Sequence, residues 1–194
     1  TMASSENPWL GLKSYSEGLI LYGRDKEIEE LSQKILYNTQ TVIYGKSGIG
    51  KSSLLKAGVF PILRRHNYFP VYVRFVHEEG QISYAQQIFS AIEESLRRLK
   101  VEDLSASNDE IYKIEPGYKE EVVPAYDSSQ EETMWEYFHR HRFYYQSSDD
   151  SAQEIMPVLI FDQFEEIFTL QKNGDLVSNF FEELSNLLNN VCPN

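Results

Sequence analysis

The eight residues Gly45-Lys46-Ser47-Gly48-Ile49-Gly50-Lys51-Ser52 constrain this chain more than any other stretch. They fit the spacing G-x-x-x-x-G-K-S/T without a mismatch. Upstream, Thr41-Val42-Ile43-Tyr44 is a short β-branched run leading straight into glycine, which predicts a buried parallel strand. Downstream, Leu54, Leu55, Val59 and Leu63 predict a helix that begins near Gly50, with Pro61 expected to break or kink it. A strand, a glycine-rich turn and a helix turn backbone N–H groups inward and add the unsatisfied donors of the helix start, which is a cradle for phosphate. Lys51 is expected to bridge terminal phosphates, and the Ser52 hydroxyl to take one magnesium position. Ser53 continues the loop. A glycine turn that bound nothing would not need Lys51 and Ser52 after Gly50.

The rest of the chain alternates in the same sense. Asp25 is expected to cap a helix carrying Ile28, Leu31, Ile35 and Leu36 and stopping near Asn38. Pro70 to Val76 reads as a second strand, and Tyr84, Ile88, Ile92, Leu96 and Leu99 mark a long helix starting near Ser83. Met134 to Tyr144 reads as helical, Val158 to Phe161 as a third strand, and Leu176, Phe180, Phe181, Leu184, Leu187 and Leu188 as the buried stripe of a last helix. This order predicts an α/β fold: a P-loop parallel sheet with helices on both faces, here an incomplete core of three or more strands.

A length of 194 residues, 41% of them hydrophobic, suffices for one core. The expected organisation is one nucleotide-binding domain over 1–194, with a tag remnant or disordered start over 1–6 and an acidic insertion over 101–132. That insertion holds ten acids from Glu102 to Glu132 against Lys113 and Lys119, so it reads as solvated. The net charge of -12 disfavours a nucleic-acid partner, and the basic run His139-Arg140-His141-Arg142 reads as a solvated helix end. No apolar stretch is long enough to span a membrane, and the lone Cys192 excludes an internal disulfide. The expectation is a soluble cytoplasmic protein. His66, His77, His139 and His141 make no zinc spacing with Cys192.

A phosphate loop needs a carboxylate for its metal at the end of a neighbouring strand, and Asp162 follows Leu159-Ile160-Phe161. Glu165 and Glu166 lie beyond it as candidates to activate or orient water, or as acids favouring a helix N-terminus. Where many ATPases place the base directly after the aspartate, this chain has Gln163. The candidate catalytic set is therefore Glu166, Glu165 and Lys51, and the metal set Ser52 and Asp162. Gln171-Lys172-Asn173-Gly174-Asp175 misses the N-K-x-D guanine-reading motif, so ATP is the expected nucleotide. Three functions remain open: a slow ATPase switch, a small-molecule or nucleotide kinase, and a nucleotide-binding interaction module without turnover.

These motifs resemble those of STAND NTPases, the signal-transducing ATPases that include the NACHT and apoptotic-ATPase groups, and most of all the bacterial novel-STAND type. The likeness rests on Pro8 to Leu12 with Tyr22 to Ile28, on Tyr44 to Leu63, on Trp135 to His139, and on Leu159 to Phe168. It implies that Tyr22, Gly23 and Arg24 lie near the adenine or its ribose, that Asp162 serves Mg2+, and that Glu166 is the better candidate for the hydrolytic glutamate. It further implies a switch in which ADP holds a closed monomer, while ATP permits self-association and activates other domains of the full-length chain. The family's later strands and winged-helix segment are not found, so the sequence reads as a fragment that binds nucleotide more readily than it hydrolyses it.

Overall fold

Phe69, Val71 and Val73 alternate into the interior from a strand whose other face also buries Pro70, the burial expected of a strand covered on both sides. A computed structural model describes this strand and its surroundings over residues 23–77, 82–102, 111–116, 132–146, 152–170 and 174–192. The chain divides into two compact units after His66.

The first unit holds helix α1 (Asp25–Tyr37), α2 (Lys51–Ser53), a π-helical stretch (Leu54–Val59) and α3 (Phe60–Arg65). Arg24, not Asp25, occupies the N-cap of α1; Asp25 lies inside the first turn, where its charge still suits the helix dipole. Asn38 ends the helix as expected. Pro61 does not break the helical run. The wider π turn precedes it, with Phe60 N–H donating to Leu55 O, so the run reaches Arg65 although Pro61 offers no N–H. Gly58 lets α1 approach closely: a Cβ there would lie 2.5 Å from Ile28 Cγ1.

Thr41–Tyr44 is not a strand. It makes no ladder among the described residues, and Val42 and Tyr44 are exposed. A β-branched run favours extended backbone, but only a paired neighbour makes it a strand.

The second unit contains β1 (Tyr68–Val73), α4 (Tyr84–Glu102), β2 (Ile111–Pro116), α5 (Met134–Arg140), β3 (His141–Gln146), β4 (Ala152–Phe161), α6 (Glu166–Leu170) and α7 (Gly174–Asn189). Its sheet has the order β1-β4-β3-β2. Only β1 and β4 run parallel; β3 is antiparallel to both β4 and β2. The described fold is thus mixed α/β with a small mixed sheet, in which the parallel pairing expected is limited to β1 and β4. Within the span read as an acidic insertion, β2 pairs along the whole of β3.

The two strand prolines fit this topology. Met156 N–H donates to Asn67 O and Asp162 N–H to Val73 O, so the even residues of β4 address β1. The odd residues face the other way, and the ladder with β3 stops at Ile155, two residues short of Pro157, which has no N–H to give. Pro70 lies on β1, the edge strand, where a missing donor costs no ladder bond.

Helix α5 begins at a capping box: Glu136 N–H donates to Thr133 Oγ1, and Thr133 N–H to Glu136 Oε2. It ends at Arg140, not Tyr144. The segment from His141 is a strand because Phe143 is buried edge-on to Phe69, and because Arg142 reaches diagonally across the ladder to Glu154 at 2.6 Å. Phe69, Val71, Val73 and Phe75 meet Tyr84, Ile88, Ile92 and Leu96 of α4, together with Phe180 of α7, in one core.

Candidate functional site

The backbone of the Gly45 to Ser52 loop is turned by its glycines. Gly48 has φ 83° and Gly50 φ 85°, left-handed values that favour glycine, and Gly50 is the N-cap of α2. The helical run is initiated there by Leu54 N–H donating to Gly50 O at 2.8 Å. The Lys51 ammonium folds back over the loop, donating to Gly45 O at 2.7 Å and to Lys46 O at 3.2 Å. Gly45, Lys46, Ser47, Gly48 and Ile49 are exposed, while Ser52 and Ser53 are half-buried in the first helical turn.

Arg24 is brought to the same loop. Its Nη1 donates to Ile49 O at 3.1 Å, and a Cβ on Gly50 would lie 3.2 Å from that nitrogen. Its Nε donates to Glu27 Oε2 at 3.0 Å, and Nη2 pairs with the same carboxylate. That hydrogen bond, aided by the guanidinium charge, holds the Glu27 carboxyl below its ordinary range. Glu27 therefore braces Arg24 against the loop, a role the sequence reading did not assign. Gly23, with φ 75°, turns the chain into Arg24. Tyr22 lies outside the described residues.

In the second unit, Asp162 stands at the end of β4, where its N–H donates to Val73 O at 2.9 Å, and its side chain is half-buried. Gln163 follows with φ 52°, a left-handed value seldom adopted outside glycine. The resulting sharp turn lets Glu166 N–H donate to Gln163 O at 2.9 Å and start α6. Glu165 is exposed, whereas Glu166 is half-buried and has Arg74 Nη2 at 3.8 Å from its Oε1. Arg74 was missed in the sequence. Its signal was present as the single charge in the otherwise uncharged run Pro70 to Val76.

A glycine-rich loop with its lysine, and a strand-end aspartate with a glutamate four residues on, are residue types that nucleoside triphosphatases use. The family described as Novel STAND NTPase 1 (nSTAND1) matches residues 8–192. The chain belongs to that family. No curated protein and no solved structure matches it. The nSTAND1 match takes in residues of both units, the glycine loop and the Asp162 segment among them.

The STAND NTPase family suggests a nucleotide and Mg2+ as ligands, and the Ser52 hydroxyl and the Asp162 carboxylate are each the kind of oxygen donor that Mg2+ takes. Among the described residues no three His, Cys, Asp or Glu side chains gather into a metal cage. A small hard cation that keeps waters and shares phosphate oxygens needs few protein ligands and no such cage. No described helix is long and apolar enough to cross a membrane.

Proposed function

We propose that this STAND NTPase domain binds ATP or ADP and hydrolyses ATP slowly with Mg2+, and that its nucleotide state controls self-association and the output of other domains of a larger signalling protein. The observation that carries the reading is the loop: two left-handed glycines open it, and Lys51 already spans its mouth by bonding to Gly45 O and Lys46 O. Those carbonyl bonds are exchangeable, and phosphate oxygens offer the ammonium stronger, charge-assisted ones.

Backbone N–H groups from Lys46 to Ser53 receive the phosphates, and Arg24, held against Ile49, stands beside the bound nucleotide. Ser52 and Asp162 are the oxygen donors for Mg2+, which when bound neutralises charge developing on the phosphates. Glu166 orients and deprotonates the attacking water, with Glu165 an exposed neighbour in a lesser role. The protein works away from the membrane, in the cytoplasm.

The test uses the intact protein carrying Glu166→Gln. This variant should bind ATP without releasing phosphate, and its ATP-loaded form should elute as a larger assembly than its ADP-loaded form. Equal elution with both nucleotides would remove the switch from the account. Phosphate release at the wild-type rate would remove Glu166 as the base.

A further inference from the structure

Of the features the proposed chemistry leaves unused, the approach of Arg74 to Glu166 is the one that bears on the reacting groups. The backbone of Glu166 is fixed on two sides. Gln163 accepts its N–H, and the next side chain, Ile167, is 1% exposed in the core. What remains free is the Glu166 side chain, and a carboxylate that must meet one water in one orientation loses rate whenever it rotates away. Arg74 is the neighbour placed to limit that rotation. It follows Val73, whose carbonyl pins Asp162, so the guanidinium projects from the same strand end that positions the metal-binding aspartate. Its Nη2 lies 3.8 Å from Oε1, within ion-pair reach, and a carboxylate paired through one oxygen can still accept from water through the other.

We propose that Arg74 is a positioning residue for Glu166, holding one carboxylate oxygen so that the other faces the attacking water; this rests on the reading of Glu166 as the hydrolytic glutamate. The pair is solvent-exposed on the Arg74 side, with that side chain 61% exposed, so its effect is modest.

Steady-state ATP hydrolysis by the intact protein decides the matter, with Arg74→Ala, Arg74→Lys and Glu166→Gln measured beside the wild type. Arg74→Ala should lower kcat by about threefold to fivefold, the range open to an exposed ion pair, with KM and thermal midpoint unchanged. Arg74→Lys should recover most of the rate, because an ammonium also holds one oxygen. An unchanged or raised kcat in Arg74→Ala, a loss confined to KM, or no recovery in Arg74→Lys overturns the proposal. Wild-type turnover by Glu166→Gln refutes the underlying assignment instead, as does a wild-type protein that releases no phosphate.

Discussion

Replacing Gly50 by alanine probes the glycine loop at a point where left-handed backbone and a close side chain coincide. With φ 85°, Gly50 occupies left-handed backbone, and a Cβ there costs about 1–2 kcal/mol in strain. The same Cβ would sit 3.2 Å from Arg24 Nη1, tighter than ordinary contact, while Glu27 holds the guanidinium from the other side. Displacing Arg24 removes its bond to Ile49 O, worth about 1 kcal/mol more. Gly48 separates the two effects, because it has φ 83° but nothing within 4 Å of its Cβ position. Gly48→Ala should therefore cost about 1–2 kcal/mol and Gly50→Ala about 2–3 kcal/mol, which corresponds to roughly thirty- to 150-fold in ATP Kd if all of it falls on the loop. Titration calorimetry with Mg-ATP, beside thermal melts of each variant, reads both quantities. Equal losses for the two variants would show that Arg24 does not brace the loop, and wild-type affinity in Gly50→Ala would refute the strained-loop argument altogether.

Gly58→Val should destabilise the first unit by about 1–3 kcal/mol, visible as a lower urea midpoint, because its Cβ would stand 2.5 Å from the stiff Cγ1 of Ile28. Thr133→Ala removes the capping box of α5 and should cost about 1 kcal/mol in chemical denaturation. Glu27, whose carboxyl is held low in the folded protein, contributes stability at neutral pH that fades as pH falls through its folded value; Glu27→Gln should flatten that acid-side slope in pH-dependent melts.

Much of this fold was legible because its elements carry strong periodicity. α1, α4 and α7 lie where the apolar spacing puts them, β4 includes the predicted strand from Val158 to Phe161, and β1 overlaps the one predicted from Pro70 to Val76 as far as Val73. What the sequence hid has specific causes. His141 to Tyr145 continues the apolar spacing of α5, so only the burial of Phe143 against Phe69 and the pairing with β4 distinguish strand from helix. β2 lies in an acid-rich span whose composition masks it, and its partner β3 carries helical spacing in the sequence. Pro61 suggested a helix end because sequence gives no warning of the π turn before it. At the candidate site, the loop, Asp162 and Glu166 stand out in the sequence by spacing, because phosphate chemistry calls for those residue types. Arg74 and Glu27 were not, because each acts through a side-chain contact set by the folded chain.

The central claim is nucleotide binding through the phosphate loop, and calorimetric titration of the intact protein with Mg-ATP and Mg-ADP, before and after Lys51→Ala, tests it most directly. The account predicts saturable binding of both nucleotides that Lys51→Ala abolishes without lowering the thermal midpoint. Binding that survives Lys51→Ala undiminished, or no binding to the wild-type protein, would contradict it.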